Sequence, residues 1–253
     1  MFASQRRQRI LELLTEDGSA RVSELSDIFK VSEVTIRQDL TQLEQEGLIV
    51  REHGGAYLQS LPDQVRSFSF QHTENMEKKQ RIGRKAVEFI RNGDSIILDS
   101  GTTVTEVARN INGYSDLTVV TNAVNIPFIL GGQPGITVLV TSGEFKAPTL
   151  SLTGQKAADF FDNLHVDKLF LATAGITLRA GLTYPSLSDL PVKRAMIEAA
   201  STVYLVADST KLGVQSLASL GALALIDYLI TDDGITEKYQ KDFSQHGIEF
   251  IIA

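Results

Sequence analysis

Short apolar runs that are rich in β-branched residues recur along the C-terminal part of the chain, and amphipathic helical stretches separate most of them. The runs are SIILD (95–99), LTVVT (117–121), ITVLVT (136–141), DKLFLAT (167–173), TVYLVAD (202–208), YLIT (228–231) and IEFIIA (248–253). Strands that are apolar on both faces and alternate with helices are typical of a parallel sheet covered by helices on each side. The pattern therefore predicts an α/β domain with a mainly parallel sheet over residues 75–253.

The first 58 residues follow another pattern, which predicts three short helices and a hairpin. The helices are expected over residues 5–16, over a short stretch capped by Ser23 and carrying Leu25, Ile28 and Phe29, and over residues 33–45 capped by Ser32. LIVRE and AYL then flank His53-Gly54-Gly55, as in a hairpin. This order is that of an α+β winged helix-turn-helix domain over residues 1–58, followed by a polar linker at 59–74.

The third helix of this domain has a polar face opposite its apolar one. Ile36, Leu40 and Leu43 share the side that faces the core, while Arg37 and Gln38 lie on the other. Arginine can pair with guanine and glutamine with adenine in the major groove, and arginines outside the helix can hold phosphates. The residues expected to contact double-stranded DNA are Arg6, Arg7, Val34, Thr35, Arg37, Gln38, Thr41, Arg51 and His53. The alternative is a small helical bundle that binds protein, with Arg37 and Gln38 merely solvated.

Composition narrows the classes of function. The net charge of −7 argues against a protein that coats nucleic acid without specificity, although not against a site-specific binder. The chain has no cysteine and only four scattered histidines, so we expect no metal site and no cofactor. No apolar run reaches the roughly 18 residues needed to span a bilayer, and Glu12 interrupts the N-terminal apolar stretch too early for a signal peptide. We therefore expect a cytoplasmic protein without a membrane partner.

Small polar residues follow four of the predicted strands. They occur in the segments 99–103 (DSGTT), 121–122 (TN), 173–175 (TAG) and 208–211 (DSTK), and Lys193 and Arg194 begin a later helix. The carboxyl ends of parallel strands meet at one edge of a sheet, and backbone N–H groups at a helix start attract anions. Together the segments predict a site for a small anionic ligand that carries hydroxyls, such as a sugar phosphate. Simple helix capping by these residues is the alternative.

Several longer stretches resemble one known family. RRQRILELL and VSELSDIFKVSEVTIRQDLTQLEQEGLIVREHGGA look like the DNA-binding domain of the DeoR family of bacterial transcriptional repressors. LDSGTT, LTVVTNA, SLTG, DKLFLATAGI, GLT, VKRAM and VADSTKLG resemble the effector domain of the same family, in order across residues 94–213. The chain departs from the family at Gln38, where a second arginine is common, at Ser142-Gly143 in place of Gly-Gly, and at residues 188–191, where an acidic-alanine pair is usual.

The resemblance implies an effector domain related in fold to ribose-5-phosphate isomerase and CoA transferases. It also implies phosphosugar sensing by residues in the four polar segments and the later helix. With the two glycines of those segments, the expected effector-binding residues are Asp99, Gly101, Thr102, Thr103, Thr121, Asn122, Gly175, Lys193 and Lys211.

A repressor of a carbohydrate-utilisation operon, relieved by a phosphorylated sugar, is the leading functional hypothesis. A single DNA-binding domain offers few contacts, so we expect a homo-oligomer, either a dimer or a tetramer. The first rival is a sugar-phosphate isomerase fused to a DNA-binding domain. It lacks support because segment 172–176 has no carboxylate where the related isomerases carry acidic residues. The second rival is an architectural DNA protein that needs no ligand, and the large C-terminal region argues against it.

Overall fold

The computed structural model describes residues 2–17, 19–52, 54–58 and 74–253 of the chain. These residues belong to two compact units, residues 1–74 and 75–253. His53 and nearly all of the predicted linker at 59–74 lie outside the described residues, so the predicted domain boundaries stay predictions.

The first unit contains three helices and a small antiparallel sheet. Its elements are α1 (Ala3–Asp17), β1 (Ser19–Arg21), α2 (Val22–Phe29), α3 (Glu33–Gln45), β2 (Ile49–Glu52) and β3 (Gly55–Leu58). The strand order is β1-β3-β2, with every pair antiparallel. Ile10, Leu14, Leu25, Ile36, Leu40 and Leu43 form its core together with residues of the sheet. The helix-turn-helix architecture with a hairpin is therefore confirmed.

Three local features of this unit bear on the sequence predictions. The hydroxyl of Ser32 accepts the N–H of Thr35 at 3.2 Å, which confirms the predicted cap of α3. The predicted cap of α2 is wrong, because α2 begins at Val22, and the carboxylate of Glu24 accepts the N–H of Arg21 at 3.0 Å. Ile28 is 57% exposed, so only part of the predicted apolar face of α2 is buried.

The second unit is built around a seven-stranded sheet. Its strands, numbered in chain order with those of two smaller sheets, are β4 (Ser95–Leu98), β5 (Leu117–Thr121), β6 (Ile136–Val140), β7 (Glu144–Lys146), β8 (Ser151–Thr153), β9 (Val166–Leu171), β10 (Gly175–Thr177), β11 (Gly181–Tyr184), β12 (Ala200–Val206), β13 (Ala218–Gly221), β14 (Tyr228–Thr231) and β15 (Glu249–Ile252). The large sheet has the order β15-β14-β12-β9-β4-β5-β6, and every pair in it is parallel. The predicted mainly parallel sheet is confirmed.

Helices cover the two faces of this sheet. They are α4 (Met76–Val87), α5 (Thr102–Asn110), α6 (Ile126–Leu130), α7 (Gln155–Asp159), α8 (Leu190–Ala199) and α9 (Glu237–Ser244). The alternation along β4 shows the two-sided burial, since Ile97 belongs to one apolar core while Ile96 and Leu98 belong to the other. Phe170, Tyr204 and Tyr228 stack across three neighbouring strands, with ring centroids 5.3 and 4.9 Å apart.

The smaller strands form the sheets β10-β11-β13 and β7-β8, which the sequence patterns did not predict. Within the described residues, no helix is both long and apolar enough to cross a membrane.

The strand order places a topological switch point between β4 and β9. From β4 the chain continues to β5 and β6 in one direction, and then returns to place β9 on the other side of β4. Ligands of open α/β sheets bind outside the carboxyl ends of the strands at such a point. The segments that follow β4 and β9 are the first place to look for a ligand site.

Candidate functional site

The outward face of α3 carries the side chains that the sequence assigned to base reading. Val34 is 61% exposed, and Arg37 and Gln38 are also exposed. The guanidinium of Arg37 pairs with the carboxylate of Glu33 one turn earlier, at 2.5 Å. This pair lies at the surface, where ion pairs contribute little to stability, so Arg37 remains free to exchange Glu33 for another partner. Thr35 is half-buried beside its cap, Ser32.

Arg51 connects the hairpin to the same helix. Its guanidinium donates to the hydroxyl of Thr41 at 2.5 Å, and that hydroxyl donates to the carbonyl of Arg37 at 2.7 Å. The side chain of Arg51 is 32% exposed. The contact places a hairpin cation beside the exposed face of α3.

Arg6 has a different partner from the one that was predicted. Its guanidinium is buried and donates to the carboxylate of Asp39 on α3 at 2.5 Å. Arg7 lies 3.6 Å from the other oxygen of Asp39, but its side chain is 28% exposed. Arg6 therefore holds α1 against α3 and does not offer a free cation to DNA, because releasing it would leave the buried Asp39 without its main counter-charge. Part of the Arg7 side chain remains accessible to solvent.

The segment after β4 opens α5 at the switch point. Gly101 is the N-cap residue of α5 and has no side chain to cap the free N–H groups of the first turn, which begins at Thr102 and Thr103. The φ angle of Gly101 is +143°, and a Cβ added there would lie 2.9 Å from the Cβ of Ala172, the residue after β9. Uncapped N–H groups at the start of a helix attract anions in general, which makes the start of α5 a candidate anion site.

Asp99 and Lys193 form a buried ion pair behind this helix start. Asp99 is 0% exposed and Lys193 is 4% exposed, and the ammonium of Lys193 donates to Asp99 and, at 3.3 Å, to the hydroxyl of Ser100. The other carboxylate oxygen of Asp99 accepts the N–H of Ala172 at 3.0 Å. Burial raises the pKa of Asp99, and the ammonium of Lys193 opposes that shift. Asp99 therefore joins the segments after β4 and β9.

Tyr184 completes the surroundings of Lys193. The ammonium lies 5.4 Å from the centroid of the Tyr184 ring, and the Tyr184 hydroxyl donates to the carbonyl of Ala172 at 2.7 Å. Burial and the charge of Asp99 raise the pKa of Tyr184 well above its ordinary value, so the hydroxyl stays protonated. Tyr184 was not predicted as a site residue, because nothing in its local pattern shows that its ring lies beside the ammonium of Lys193.

Thr121 and Asn122, at the end of β5, are both 0% exposed. The hydroxyl of Thr121 donates to the carbonyl of Leu98 at 2.6 Å, which ties β5 to β4 and leaves the hydroxyl occupied. The side-chain N–H of Asn122 donates to the carbonyl of Leu152 at 3.1 Å. Its Oδ1 is buried and has no hydrogen-bond partner in the described structure, and neither has the hydroxyl of Thr141 after β6. Of the two predicted residues, Asn122 is the one with an unused polar atom.

Gly175 lies at the start of β10 and packs against backbone. A Cβ added there would lie 2.4 Å from the carbonyl oxygen of Val214. Its own carbonyl accepts the hydroxyls of Thr173 and Thr183, at 2.9 and 3.0 Å. Gly175 thus serves the packing of the small sheet, and the structure does not direct it to a ligand as predicted.

Lys211 ends a short 3-10 turn after β12. Asp208 begins this turn and accepts the N–H of Thr210 at 3.0 Å, while its Oδ2 is buried without a partner among the described residues. The side chain of Lys211 is half-exposed, and within the described ranges its ammonium has no hydrogen bond or ion pair. Lys211 is therefore a cation available to a ligand, in contrast to Lys193.

A set of contacts that the sequence analysis missed joins the start of α4 to the segments after β12 and β14. Lys78 donates to the hydroxyl of Ser209 at 2.8 Å and lies 3.0 Å from the carboxylate of Asp232. Burial acts to raise the pKa of Asp232, but hydrogen bonds from Ser209, Lys78 and Gly234 outweigh it and hold that pKa below its ordinary value. Asn75 also donates to the hydroxyl of Thr210, at 3.5 Å. No local pattern shows these partners, because they lie more than 130 residues away in sequence.

A second ion pair holds the segment before α8. Lys146 of β7 donates to both carboxylate oxygens of Asp189, at 2.7 Å each. The side chain of Asp189 is 8% exposed and that of Lys146 is 21% exposed. Asp189 therefore fixes the entry to the helix that carries Lys193. No group of three or more potential metal ligands occurs within the described parts of the chain.

Two family models and several relatives match this chain. The chain matches the model of the DeoR-like helix-turn-helix domain over residues 6–60 and that of the DeoR C-terminal sensor domain over residues 74–233. It is 34% identical to the HTH-type transcriptional regulator GolR of Listeria innocua, with 100% of both chains covered. It is 33% identical to the glycerol-3-phosphate regulon repressor of Escherichia coli K12, with 92% of both chains covered.

A third relative and one solved structure complete the comparison. The putative aga operon transcriptional repressor of Escherichia coli O157:H7 is 34% identical, with 99% of this chain and 94% of the relative covered. A ribose 5-phosphate isomerase structure from Plasmodium falciparum is 18% identical with a TM-score of 0.38, over 53% of this chain and 52% of that one, a likeness too low to carry an argument. Both domain models and the full-length relatives show that the chain belongs to the DeoR family of transcriptional regulators.

Proposed function

We propose that the protein is a repressor of a carbohydrate-utilisation operon and that a phosphorylated sugar releases it from operator DNA. The observation that carries this proposal is the uncapped start of α5 at the switch point of the sheet, close to the ends of β4 and β9. One relative is named as repressor of a glycerol-3-phosphate regulon, which supports a phosphorylated effector. The protein acts where operator DNA is, in the cytoplasm.

Operator reading is assigned to α3. Arg37 and Gln38 present long polar side chains from its exposed face, and Val34 offers an apolar contact to a thymine methyl. Phosphate contacts are assigned to Arg51 and Arg7, whose side chains are partly exposed, whereas Arg6 is assigned to the internal pair with Asp39. Two copies of the unit are needed, since one offers too few contacts for specific affinity.

The effector phosphate is assigned to the N–H groups at the start of α5, with Thr102 as the half-exposed hydroxyl beside them. Lys211 supplies the accessible cation, because Lys193 is already neutralised by Asp99. The unpaired Oδ1 of Asn122 is an acceptor for a sugar hydroxyl. In this assignment Lys193 and Asp99 position the loop and do not contact the phosphate.

The start of α4 is assigned the task of transmitting effector binding. Lys78 and Asn75 contact Ser209 and Thr210, which immediately precede Lys211. A ligand that draws in Lys211 changes the position of this turn and of the residues hydrogen-bonded to it. Since α4 follows directly on the segment from the DNA-binding unit, the contacts give the effector a route to that unit. A ligand shifts operator affinity only through such a difference between two states.

Isomerase activity is not part of the proposal. Aldose–ketose isomerisation needs a carboxylate that is free to take the proton from the substrate's C2. Asp99 is held by Lys193 and by two backbone N–H groups, those of Ser100 and Ala172. The segment after β9 carries no carboxylate.

A thermal-shift screen of the full chain tests the effector assignment. The panel pairs sugar phosphates with the same sugars lacking phosphate. A ligand present at 100 times its dissociation constant stabilises the folded protein by about 2.7 kcal/mol. We expect a shift with one phosphosugar and none with its free sugar. A shift with the free sugar alone, or none across hexose, amino-sugar, polyol and pentose phosphates, contradicts the phosphate site.

A further inference from the structure

Strand β6 (Ile136–Val140) is an outer edge of the seven-stranded sheet. It pairs with β5 on one side, in a regular register from Leu117–Ile136 to Thr121–Val140 without a bulge. No other strand in the described part of the chain pairs with its second side. Its outward N–H and C=O groups are therefore available to another strand.

The edge is apolar as well as open. Ile136 and Val138 pack partly onto the core of one face, while Leu139 and Val140 are 39% and 37% exposed. Phe128 on the preceding α6 is 90% exposed. Phe145 on the following β7 is 55% exposed. Large exposed apolar side chains therefore both precede and follow the strand in the sequence. Aromatic side chains are enriched at protein interfaces, where a partner buries them.

The charge pattern indicates what covers this edge. Residues 126–143 contain no charged side chain, whereas natural edge strands are usually protected from pairing by lysines, prolines or bulges. The opposite edge, β15, carries the exposed Glu249. Under two-fold symmetry a surface meets itself, so any charge near the axis meets a like charge. An uncharged strand is suited to pairing with its own copy.

We propose that β6 pairs with β6 of a second copy of this chain, antiparallel about a two-fold axis, so that the sheet continues across both copies. The need for a second copy rests on the proposed function, because operator reading requires two DNA-binding units. The pairing supplies main-chain hydrogen bonds for affinity and apolar side chains for burial. It also leaves the carboxyl ends of β4 and β12, where the effector phosphate is assigned, away from the contact.

The mass of the full-length protein in solution tests the pairing. Leu139→Lys brings positive charges together across the axis. We therefore expect the protein concentration at which half of the chains are dimeric to rise by about tenfold or more. Leu217→Lys is the matched control, since Leu217 is 81% exposed and lies before β13 in another sheet. A monomeric wild-type protein, or a Leu139→Lys variant that associates as tightly as the control, overturns the proposal.

Cross-linking gives an independent result if a charged variant folds poorly. The chain has no cysteine, so Leu139→Cys and Leu217→Cys each introduce the only thiol of the protein. A short bismaleimide is expected to link Leu139→Cys into dimers and to leave Leu217→Cys monomeric. The absence of Leu139→Cys dimers overturns the pairing. Operator binding by the wild-type protein is measured separately. Its absence would contradict the proposed function, whereas the mass and cross-linking results would still decide whether β6 pairs with a second copy.

Discussion

The ammonium of Lys193 is buried against the carboxylate of Asp99, although the sequence predicted that both meet an effector. Each is less than 5% exposed, and the pair joins α8 to the segment after β4. Lys211, the other predicted lysine, has no such partner within the described residues. The two lysines therefore differ, since Lys193 holds the loop whereas Lys211 is the one that we propose to meet a ligand.

Lys193→Met is expected to destabilise the protein. The change leaves Asp99 buried without its counter-charge, which costs about 3–5 kcal/mol, and urea unfolding at neutral pH measures the loss. The double variant Asp99→Asn/Lys193→Met removes the stranded charge and is expected to recover much of the stability. An unfolding free energy unchanged by Lys193→Met would contradict the pair.

Lys211→Met is the matched substitution on the ligand side. We expect its unfolding free energy to stay within about 0.5 kcal/mol of the wild-type value, because no contact is lost. Phosphosugar binding is expected to weaken by about 1.5–3 kcal/mol, the range for a hydrogen bond to a charged group. Isothermal titration measures that loss, and unchanged affinity removes Lys211 from the site.

Gly101→Ala is expected to abolish the response to effector while the protein still binds operator. The new methyl group lies 2.9 Å from the Cβ of Ala172, and the φ of +143° strains any L residue by about 1–3 kcal/mol. Gly132→Ala is the control, because a Cβ there meets nothing within 4 Å. Equal ligand-induced shifts in melting temperature for both variants would show that the start of α5 does not hold the ligand.

Lys78→Met is expected to separate effector binding from release of DNA. The substitution removes the contacts of Lys78 to Ser209 and Asp232. Effector and operator DNA are each still expected to bind alone. The coupling free energy between them, typically about 1–3 kcal/mol, is expected to fall towards zero. Lys85→Met on the same helix loses only the surface pair with Glu88 and serves as control. Operator titrations with and without effector measure the coupling. Full coupling in Lys78→Met would rule out this route.

Arg37→Ala is expected to weaken operator binding by about 1–3 kcal/mol if the side chain reads a base. Arg84→Ala, an exposed arginine of the second unit, is the control. Arg6→Ala is expected to lower stability instead, because Asp39 is left buried with only the longer contact to Arg7. Fluorescence anisotropy with labelled operator DNA measures the loss of binding in Arg37→Ala and distinguishes it from the loss of stability in Arg6→Ala. If Arg37→Ala and Arg84→Ala bind DNA equally, Arg37 is not part of the reading surface.

Elements with a strong local signal were predictable from the sequence. YLIT became β14 at the predicted bounds, as did α3, because a continuous apolar run or a capped amphipathic helix carries its own local signal. The three-residue strands β1 and β10 were not predictable, since they exist only through pairing with distant strands. The apolar side of α2 was predicted only in part, because the core reaches Leu25 and leaves Ile28 in solvent.

The positions of the polar segments were predictable from the sequence, whereas the contacts of their side chains were not. Polar residues after parallel strands must gather at one edge, so the sequence located Asp99 and Lys211 there. Which side chain neutralises which depends on tertiary packing. Arg6 finds Asp39, 33 residues away, and Lys193 finds Asp99, 94 residues away. No spacing rule connects such partners.

In the proposed function, binding of a phosphosugar to this protein weakens its binding to operator DNA. The most direct test is anisotropy of labelled operator DNA bound to the full chain, titrated with the phosphosugar found in the thermal screen and, in parallel, with the unphosphorylated sugar. We expect the phosphosugar alone to release the DNA, and we expect this release to be lost in Lys78→Met. Operator affinity that is the same with and without every phosphosugar would contradict it.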